Sequence, residues 1–557
     1  MQFRFSKFAT VLIASGIISL PLSASANDSS ELEELRGLVQ ELSQQVKVLQ
    51  RKGEITEEDT AAAKKTTPVV KAGDNGFSIE SADGKNSIKL GGLVQYDYRD
   101  FNNGANDVRN RSDARAGTLD RETGFHDAND TWLARRLRPN IQGTLFGKYD
   151  YRFQEEFAGG SASVVDAYVD GRFDPAFKVR VGKYKPYVGL ERLQGGADLK
   201  FIERSYVSNN ILPNRDQGIS VYGDVLDSKL SYALGFNNGV VDGGNASTSS
   251  EFDNDKEITA RLFATPFKDD TNALSGLGFG IAATYTDATA EKGLNFTDTT
   301  AADGTRNGLP SYVTNGQQTF FRYSPAAIAD GKRFRVAPQA YYYNGPFGLI
   351  TEYARVSQDV SLAAGGSVAG GGGGTTNLSD ATNRIAAGSR KQLSNDAWQI
   401  AATYLITGED ASFRGVKPKN NFDFDKGGWG AWELALRYSE MTIDSDTFKN
   451  AAGTVAGQAT STQASTLATT DAALLGTSFA DPTYSARKAK SWTAGVNWYL
   501  NSNAKIVLNY EQTSFDGGNG TNTAFNGTTA RPFNAANNKV KDREDERALF
   551  ARFQVGF

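Results

Sequence analysis

Cysteine is absent from the 557 residues, and histidine occurs once, as His126. Without cysteine the chain can form neither disulfide bonds nor metal–thiolate sites. The one histidine lies in the polar stretch RETGFHDAND, whereas hydrolases that use histidine need it beside a nucleophile. The sequence also has no glycine-rich phosphate-binding motif joining a strand to a helix. We therefore predict that the protein is not an enzyme and needs no cofactor or metal.

Long apolar runs are missing beyond the N-terminus. No later stretch approaches the roughly 20 apolar residues of a membrane-spanning helix. The N-terminus itself combines Arg4 and Lys7 with the apolar segment FATVLIASGIISLPL and an A-x-A motif at residues 24–26. This is the pattern of a secretory signal peptide. We predict that residues 1–26 are such a signal and that the mature protein leaves the cytoplasm.

Neither sign of charge dominates the composition. The chain has 60 lysines and arginines against 64 aspartates and glutamates, a formal net charge of −4. This balance argues against nucleic acid as a partner, because nucleic-acid-binding domains are strongly basic. Glycine (58), phenylalanine (33) and tyrosine (22) are abundant instead. Such enrichment with weak local hydropathy is typical of a protein built from many short strands.

The segment after the signal has a seven-residue apolar repeat. Its two sets are Leu32-Val39-Val46 and Leu35-Leu42-Leu49. The repeat predicts a short α-helix over residues 27–52, either an amphipathic helix lying on another surface or a coiled coil at the axis of an oligomer. Residues 29–52 could also contact a periplasmic partner. Residues 53–76 are polar without an apolar period, which predicts a linker.

Sixteen later segments alternate apolar and polar residues with the period of a β-strand. They span residues 86–101, 131–146, 149–158, 163–172, 177–185, 217–223, 229–237, 257–265, 277–287, 335–344, 347–358, 396–407, 429–441, 488–500, 504–514 and 546–557. Several connections between them are tight turns and others are long polar loops, and the strand number is even. We therefore predict an all-β domain at residues 77–557, a sixteen-stranded antiparallel transmembrane β-barrel.

In such a barrel the apolar residues of each strand face lipid and the polar residues face the interior. In FKVRVGKYKP, residues 177–186, Phe177 and Val181 alternate with Lys178 and Arg180. A cation facing lipid at mid-bilayer costs about 2–4 kcal/mol. We therefore expect Arg180 to face the lumen. A barrel of sixteen strands is wide enough for that lumen to be an aqueous channel.

Several motifs agree in order with one known family. They are GKYKPYVGLERLQGGADLKFIERS, ITGEDASFRGVKPKNNFDFDKGGWGAWELALRYSEM, KSWTAGVNWYL and the final ERALFARFQVGF. With these motifs the chain resembles the phosphate-selective porins of the O and P type. The resemblance implies a homotrimer in the lipid of a Gram-negative outer membrane, with a cationic constriction in each pore. We predict passive diffusion of small anions, with phosphate or polyphosphate as the expected solutes.

The long connection at residues 186–216 mixes apolar and basic side chains. A freely solvated loop would not need the apolar ones, so we expect it to fold into the barrel with its cations facing the pore. The alternative is an ordinary loop packed at a subunit interface. The resemblance places a pore cation at Arg192 and another at Arg204, and Lys200 lies between them.

The resemblance also places anion-binding residues at Arg135 and Arg136, in LARRLRPN, and an aspartate at Asp166. Arg136 and Arg138 lie on the face of their strand that is expected to face the lumen. Arg135 lies on the other face, so its charge would have to be accommodated by a β-bulge, by the end of the strand or by a protein interface. The candidate constriction residues are Arg135, Arg136, Arg138, Asp166, Arg180, Arg192, Lys200 and Arg204. Asp166, Asp170 or Glu433 could weaken anion binding enough for release, or these carboxylates could pair with arginines of the wall.

Two features depart from the family pattern. The family motif LGGR reads LGGL here, which puts Leu93 at a lumen position, and Arg138 replaces an aromatic residue. The loop at residues 238–256 is acidic, and an acidic entrance would repel phosphate. Two alternatives therefore stay open: a general porin of low selectivity, and a structural barrel that anchors the envelope.

Overall fold

The computed structural model describes most of the chain in separate ranges. These are residues 28–73, 76–102, 130–247, 254–289, 308–324, 327–362, 390–449, 478–480, 482, 485–518, 533–534, 539–540 and 542–557. Two compact units are present, Met1–Pro68 and Val69–Phe557. The candidate signal peptide and His126 lie outside the described residues.

The described part of the first unit is one helix, α1 (Asp28–Thr66), of 39 residues. The sequence placed a linker from residue 53 onward, but the helix continues through this segment. Its residues GEITEEDTAAAKKT are rich in alanine, glutamate and lysine, which are strong helix formers. Their polarity indicates an exposed helix rather than an unstructured linker. No helix among the described residues is both long enough and apolar enough to span a membrane.

The second unit is a β-barrel. Its strands are β1 (Val69–Gly73), β2 (Gly76–Glu80), β3 (Ser87–Phe101), β4 (Thr131–Leu145), β5 (Tyr149–Glu156), β6 (Ser163–Asp174), β7 (Phe177–Tyr184), β8 (Asp216–Val225), β9 (Leu230–Asn237), β10 (Glu257–Ala264), β11 (Leu277–Thr289), β12 (Ser311–Val313), β13 (Thr319–Arg322), β14 (Ala327–Asn344), β15 (Phe347–Leu362), β16 (Lys391–Leu405), β17 (Ala431–Thr442), β18 (Lys488–Tyr499), β19 (Ala504–Asp516), β20 (Phe533–Asn534), β21 (Lys539–Val540) and β22 (Glu546–Gly556). A four-residue helix, α2 (Leu190–Leu193), lies between β7 and β8.

Sixteen of these strands form a closed antiparallel ring, which confirms the predicted fold. Each pairs with its neighbour along the chain, and β22 pairs with β3 to close the ring. Backbone hydrogen bonds of 2.9 and 3.1 Å between Gly92 and Phe557 complete this junction. The ion pair of Arg552 with Asp97, at 2.6 Å, crosses it inside the barrel. The hairpin of β1 and β2 extends the sheet beside the first residues of β3.

The sixteen predicted strands agree with the observed ones to within four residues, except at the starts of β16 and β14. Strand β16 begins at Lys391, five positions before the prediction, and β14 begins at Ala327, eight positions before it. The pairing of β14 with β15 shifts between Ala329 and Arg333, and Gly331 has a positive φ of 132°. This β-bulge breaks the alternation on which the prediction depended. The short pairs β12–β13 and β20–β21 were not predicted and lie outside the ring.

Side chains on the two faces of the barrel have opposite character. In β22, Leu549 and Phe553 are each 48% exposed, whereas Arg552 is 2% exposed and Gln554 is 4% exposed. Phe177 and Val181 of β7 are also exposed on the outer face. Apolar residues outside and polar residues inside are the arrangement of a barrel in lipid. The predicted orientation of the strands is confirmed.

Two segments besides the β7–β8 connection fold into the lumen. Residues 308–324 enter from the end with long loops, where Tyr312 and Phe320 are fully buried. Part of residues 406–430 enters from the end with short turns, where the ring of Phe413 stacks on Tyr341 at 5.7 Å between centroids.

Candidate functional site

The connection between β7 and β8, residues 185–215, crosses the barrel interior; we call it the inner loop. On the opposite wall, the Ile202 amide donates to Asn509 Oδ1 at 2.8 Å, and Arg552 Nη1 donates to Ile202 O at 2.7 Å. Asn497 Nδ2 donates to Lys200 O at 2.9 Å. Buried backbone groups need such partners. The predicted inward fold is confirmed, and the alternative of a loop packed at a subunit interface is wrong.

The near end of the inner loop is held by another wall strand. Glu352 of β15 accepts hydrogen bonds from the backbone amides of Leu190 and Glu191, at 2.5 and 3.2 Å. Glu191 in turn accepts from the Ser205 amide and hydroxyl, at 3.0 and 2.7 Å. These bonds fix the first and last parts of the loop against each other, so its side chains have defined positions in the lumen.

Arg135 reaches the lumen because β4 contains a β-bulge. Gln95 of β3 pairs with Arg136, and the next residue, Tyr96, pairs with Ala134. Arg135 is therefore the extra residue of the bulge, and the bulge lets its side chain reach the lumen although the alternation predicts the outer face. Its Nε lies 2.6 Å from Glu203 Oε1, and its Nη2 lies 3.1 Å from Glu203 Oε2.

Glu203 is the centre of a buried ion-pair network. Besides Arg135, its carboxylate contacts Arg99 at 2.7 Å and Arg552 at 4.0 Å. Burial alone would favour the protonated acid. The neighbouring Arg135 and Arg99 nevertheless hold the pKa of Glu203 well below its ordinary value. Arg135 is therefore neutralised, and it acts first as an anchor of the inner loop.

Arg136 and Arg138 differ in their partners. Arg136 is 3% exposed, and its Nη1 donates to Gln95 Oε1 at 2.6 Å. No carboxylate oxygen of the described residues lies within the 4.0 Å of an ion pair from Arg136. Arg138 contacts Glu156 Oε2 at 2.6 Å. Of the two, Arg136 therefore keeps more of its positive charge available to a solute.

Two basic side chains of the inner loop meet at one carbonyl oxygen. Lys185 Nζ and Arg204 Nη2 donate to Gln194 O at 2.7 and 2.8 Å, so the two cations lie within two hydrogen-bond lengths of each other. Burial, followed by repulsion from Arg204 and Arg215, lowers the pKa of Lys185 well below its ordinary value. Burial also lowers the pKa of Arg204, to about 10.

Arg192 is a buried cation of the inner loop with open hydrogen-bond donors. It is 3% exposed, and its Nε and Nη2 have no hydrogen-bond partner among the described residues. Burial, with repulsion from Arg204 and Arg215, lowers its pKa well below the ordinary value. A buried guanidinium with open donors is unfavourable unless an anion or water satisfies it. Arg192 is therefore the strongest candidate for direct contact with a solute anion.

Asp166 faces this cluster and moderates its charge. Its carboxylate lies 3.0 Å from Arg215 and 3.7 Å from Arg152. Arg215 links Asp166 to the cations of the inner loop, because its charge also acts on Arg192 and Arg204. Lys185 and Arg215 belong to the same cluster but were not in the predicted set. Their position at the two ends of the inner loop, next to the strands, was the signal available in the sequence.

Arg180 and Lys200 lie outside the cluster, in ion pairs with the barrel wall. Arg180 makes two hydrogen bonds to Asp170, at 2.8 and 2.6 Å, and its guanidinium lies 4.0 Å from the ring centre of Tyr168. Lys200 Nζ lies 3.6 Å from Glu433. Asp170 and Glu433 therefore pair with cations of the wall or of the inner loop. Such pairing was the alternative to a role of these carboxylates in anion release.

The departures from the family pattern also have a structural explanation. Leu93 faces inward as expected and is 8% exposed. A Cβ atom at Gly196 would lie 3.2 Å from Leu93 and 3.4 Å from Arg136, so Leu93 packs against the inner loop. In the acidic loop, buried Asp242 pairs with Arg335 at 2.7 Å and does not present a free charge. Residues 248–253 of that loop lie outside the described residues.

The part of the chain that the structure describes contains no group of three or more histidine, cysteine or acidic side chains able to hold a metal ion. The guanidinium and ammonium groups of the cluster offer hydrogen-bond donors to oxyanions.

Comparison with known proteins finds a matching family model and several similar proteins. A family model described as phosphate-selective porin O and P matches residues 114–524. Porin O of Pseudomonas aeruginosa is 22% identical over 463 residues, covering 79% of this chain and 86% of Porin O. Among solved structures, the outer membrane channel DcaP of Acinetobacter baumannii aligns with a TM-score of 0.43 and 12% identity, over 85% of this chain and 97% of that one. An anion-selective porin from Comamonas acidovorans aligns with a TM-score of 0.41 and 11% identity, over 85% of this chain and 100% of that one.

The family match covers most of the chain and includes β4, the inner loop, and β18 and β19 of the opposite wall. The resemblance inferred from the sequence motifs is confirmed. The chain belongs to the phosphate-selective porin O and P family and is an outer-membrane channel of a Gram-negative bacterium, not an enzyme.

Proposed function

We propose that the protein conducts small anions passively across the outer membrane, through a constriction formed by the inner loop and the facing strands β4 to β6. The observation that carries this proposal is the cation cluster on the inner loop, above all buried Arg192 with its unpartnered Nε and Nη2. Nearby Arg136 likewise has no carboxylate within ion-pair distance among the described residues.

Several moderate attractions suit conduction better than one strong site. A cation 4 Å from a unit anion contributes about 4 kcal/mol at an effective dielectric constant of 20. A few such contacts replace part of the hydration that the ion loses, but too many would trap it. Asp166, 3.0 Å from Arg215, limits the positive charge and allows release.

Phosphate or polyphosphate is the solute class that we propose within this function. A guanidinium has a fixed set of donors that matches phosphate oxygens. The family to which the chain belongs is described as phosphate-selective. Leu93 and Arg138 depart from the pattern of this family.

Reversal potentials in planar bilayers under a potassium chloride gradient test the anion preference. The unmodified channel should favour chloride over potassium. Arg192→Gln and Arg136→Gln should each reduce the permeability ratio about fivefold, which corresponds to roughly 1 kcal/mol. The matched control removes a neutral pair, Arg180→Gln with Asp170→Asn, and should leave the ratio unchanged.

Single-channel chloride currents with added oxyanions test the solute class. Phosphate and pyrophosphate should reduce the chloride current more than sulfate at the same concentration. Equal reduction by all three would leave an anion channel without phosphate preference. A reversal potential near zero would instead support the alternative of a general porin, and absence of conductance would support an envelope anchor.

We also propose the homotrimer and a self-associating α1. The repeated apolar positions Leu35, Leu42 and Leu49 are more than 60% exposed in the single chain, and a coiled coil would bury them. Deletion of residues 27–60 should weaken the trimer, measured by native mass spectrometry in detergent. An unchanged trimer together with lost envelope attachment would favour contact with a periplasmic partner instead.

A further inference from the structure

One lumen-facing arginine lies apart from the cation cluster. Arg261 of β10 donates through Nε and Nη2 to Gln339 Oε1, at 3.2 and 3.1 Å. Gln339 also donates to Val188 O at 2.8 Å, which places this pair beside the start of the inner loop. Among the described residues, no carboxylate oxygen is within the 4.0 Å ion-pair distance of Arg261. The half-buried guanidinium therefore keeps its charge toward the lumen.

A row of aromatic rings begins at this guanidinium. The Arg261 Cζ atom lies 4.5 Å from the ring centre of Phe263. Phe263 is 5.3 Å from Tyr341, and Tyr341 is stacked on Phe413 at 5.7 Å and 30°. Phe413 belongs to the segment at residues 406–430, which enters the lumen from the end with short turns. The row thus leads from the inner loop toward that end of the pore.

The sheet beneath these rings is made to accommodate them. Gly278 of β11 pairs with Tyr341. A Cβ atom at Gly278 would lie 2.7 Å from Tyr341 Cζ and 2.8 Å from Phe263 Cε1. Only glycine therefore allows both rings to lie against the wall at this point. The rings keep an open side because Tyr341 and Phe413 are only partly buried.

We propose that Arg261, Phe263, Tyr341 and Phe413 form a binding site for anions that carry an aromatic ring. The acidic group would accept hydrogen bonds from the Arg261 guanidinium, and the ring would stack beside Tyr341 and Phe413. The solute class is that of aryl carboxylates, sulfonates and phosphates. The proposal rests on the proposed conduction of anions and adds a site on the pore wall outside the cation cluster.

Block of the chloride current by two probes with the same charged group tests this site. Benzenesulfonate and methanesulfonate both remain anionic, but only the first has a ring. The half-blocking concentration of benzenesulfonate should be about tenfold lower than that of methanesulfonate. This ratio of the two concentrations is equivalent to about 1.4 kcal/mol. A ratio near one in the unmodified channel would overturn the proposal.

Substitutions that remove an aromatic ring without changing charge show where benzenesulfonate binds. Tyr341→Leu and Phe413→Leu should each lower the ratio to about threefold or less, while the reversal potential in potassium chloride stays unchanged. Phe413 lies outside the strands, so its variant remains informative if Tyr341→Leu fails to insert. Phe279→Leu, on the outer face of the same wall and 47% exposed, is the matched control and should keep the full ratio.

A ratio that persists in both ring variants would place the aryl site elsewhere and contradict the assignment. The reversal potential of the unmodified channel separates this outcome from failure of the proposed function. If that potential shows no anion preference, anion conduction is wrong. If anion preference is present without any ring effect, only the aromatic site is wrong.

Discussion

Arg135 and Glu203 are joined by two hydrogen bonds, of 2.6 and 3.1 Å, that connect a bulged residue of the wall to the middle of the inner loop. The same carboxylate contacts Arg99 at 2.7 Å. The bulge that gives Arg135 access to the lumen is therefore also what attaches the loop to β4. The inner loop and the barrel wall are one connected structure at this point.

Glu203→Gln should destabilise the protein strongly. The substitution leaves Arg99 and Arg135 without their shared carboxylate, and removal of one partner from a buried ion pair costs about 3–5 kcal/mol. Urea unfolding of the detergent-solubilised barrel measures this loss. Glu80→Gln removes an exposed pair with Lys71 and should change the unfolding free energy by less than about 0.5 kcal/mol. Equal effects of the two substitutions would contradict the anchoring role.

The ion pairs of Glu203 should survive moderate acid. Because the pKa of Glu203 is held well below its ordinary value, its contribution to stability is complete above the unfolded pKa of about 4.3. That contribution is lost only as the pH falls through the lower folded pKa. The loss of unfolding free energy caused by Glu203→Gln should therefore be the same at pH 7 and pH 5 and should shrink below about pH 4. A loss that is already smaller at pH 5 would contradict the low pKa of Glu203.

Anion selectivity should decline in mild alkali through Lys185. Burial and the nearby Arg204 and Arg215 lower its pKa well below the ordinary value, so it loses its charge where a solvated lysine keeps it. The permeability ratio for chloride over potassium should therefore fall with rising pH before the ordinary lysine pKa of about 10.4 is reached. Lys185→Arg should move this fall to higher pH, because a guanidinium has a higher ordinary pKa than an ammonium group. Identical pH profiles would exclude Lys185 as the titrating group.

Leu93→Arg restores the residue of the family motif, but we expect it to destabilise the channel. Leu93 packs against Gly196 and pairs across the strands with Arg138. An arginine there would place like charges directly opposite each other and remove a buried apolar contact. The unfolding free energy should fall by about 1–3 kcal/mol, without stronger block by phosphate. Leu93→Met, which conserves volume, should cost less than about 1.5 kcal/mol.

The sequence predicts the barrel well because lipid imposes a simple rule. Strands such as β18 and β22 alternate strictly, with Trp492 exposed at 56% beside Thr493 at 1%. Where a bulge interrupts the alternation, as at Gly331 in β14, the predicted boundary is displaced. The helix boundary was wrong for a different reason. Residues 53–66 are polar, and polarity reports solvent exposure rather than the absence of a helix.

The site is less predictable, because it depends on contacts between distant segments. The alternation of side chains alone predicts the wrong face for Arg135, and only the pairing of Gln95 with Arg136 reveals the bulge. The same alternation correctly predicts that Arg180 faces inward, but it cannot show that Asp170 neutralises this arginine. The Arg261 site draws residues from three separate parts of the chain, and no local pattern connects them.

The junction between β3 and β22 has a consequence for how the protein assembles. Asp97 and Arg552, which meet across it, are separated by 455 positions in the chain. Until β22 reaches β3, both strands present open edges of unpaired backbone groups that can join other chains. Closing so long a span is also slow, because distant pairing must overcome the entropy of the intervening chain. The nascent polypeptide therefore needs protection from aggregation over the whole interval before these two strands meet.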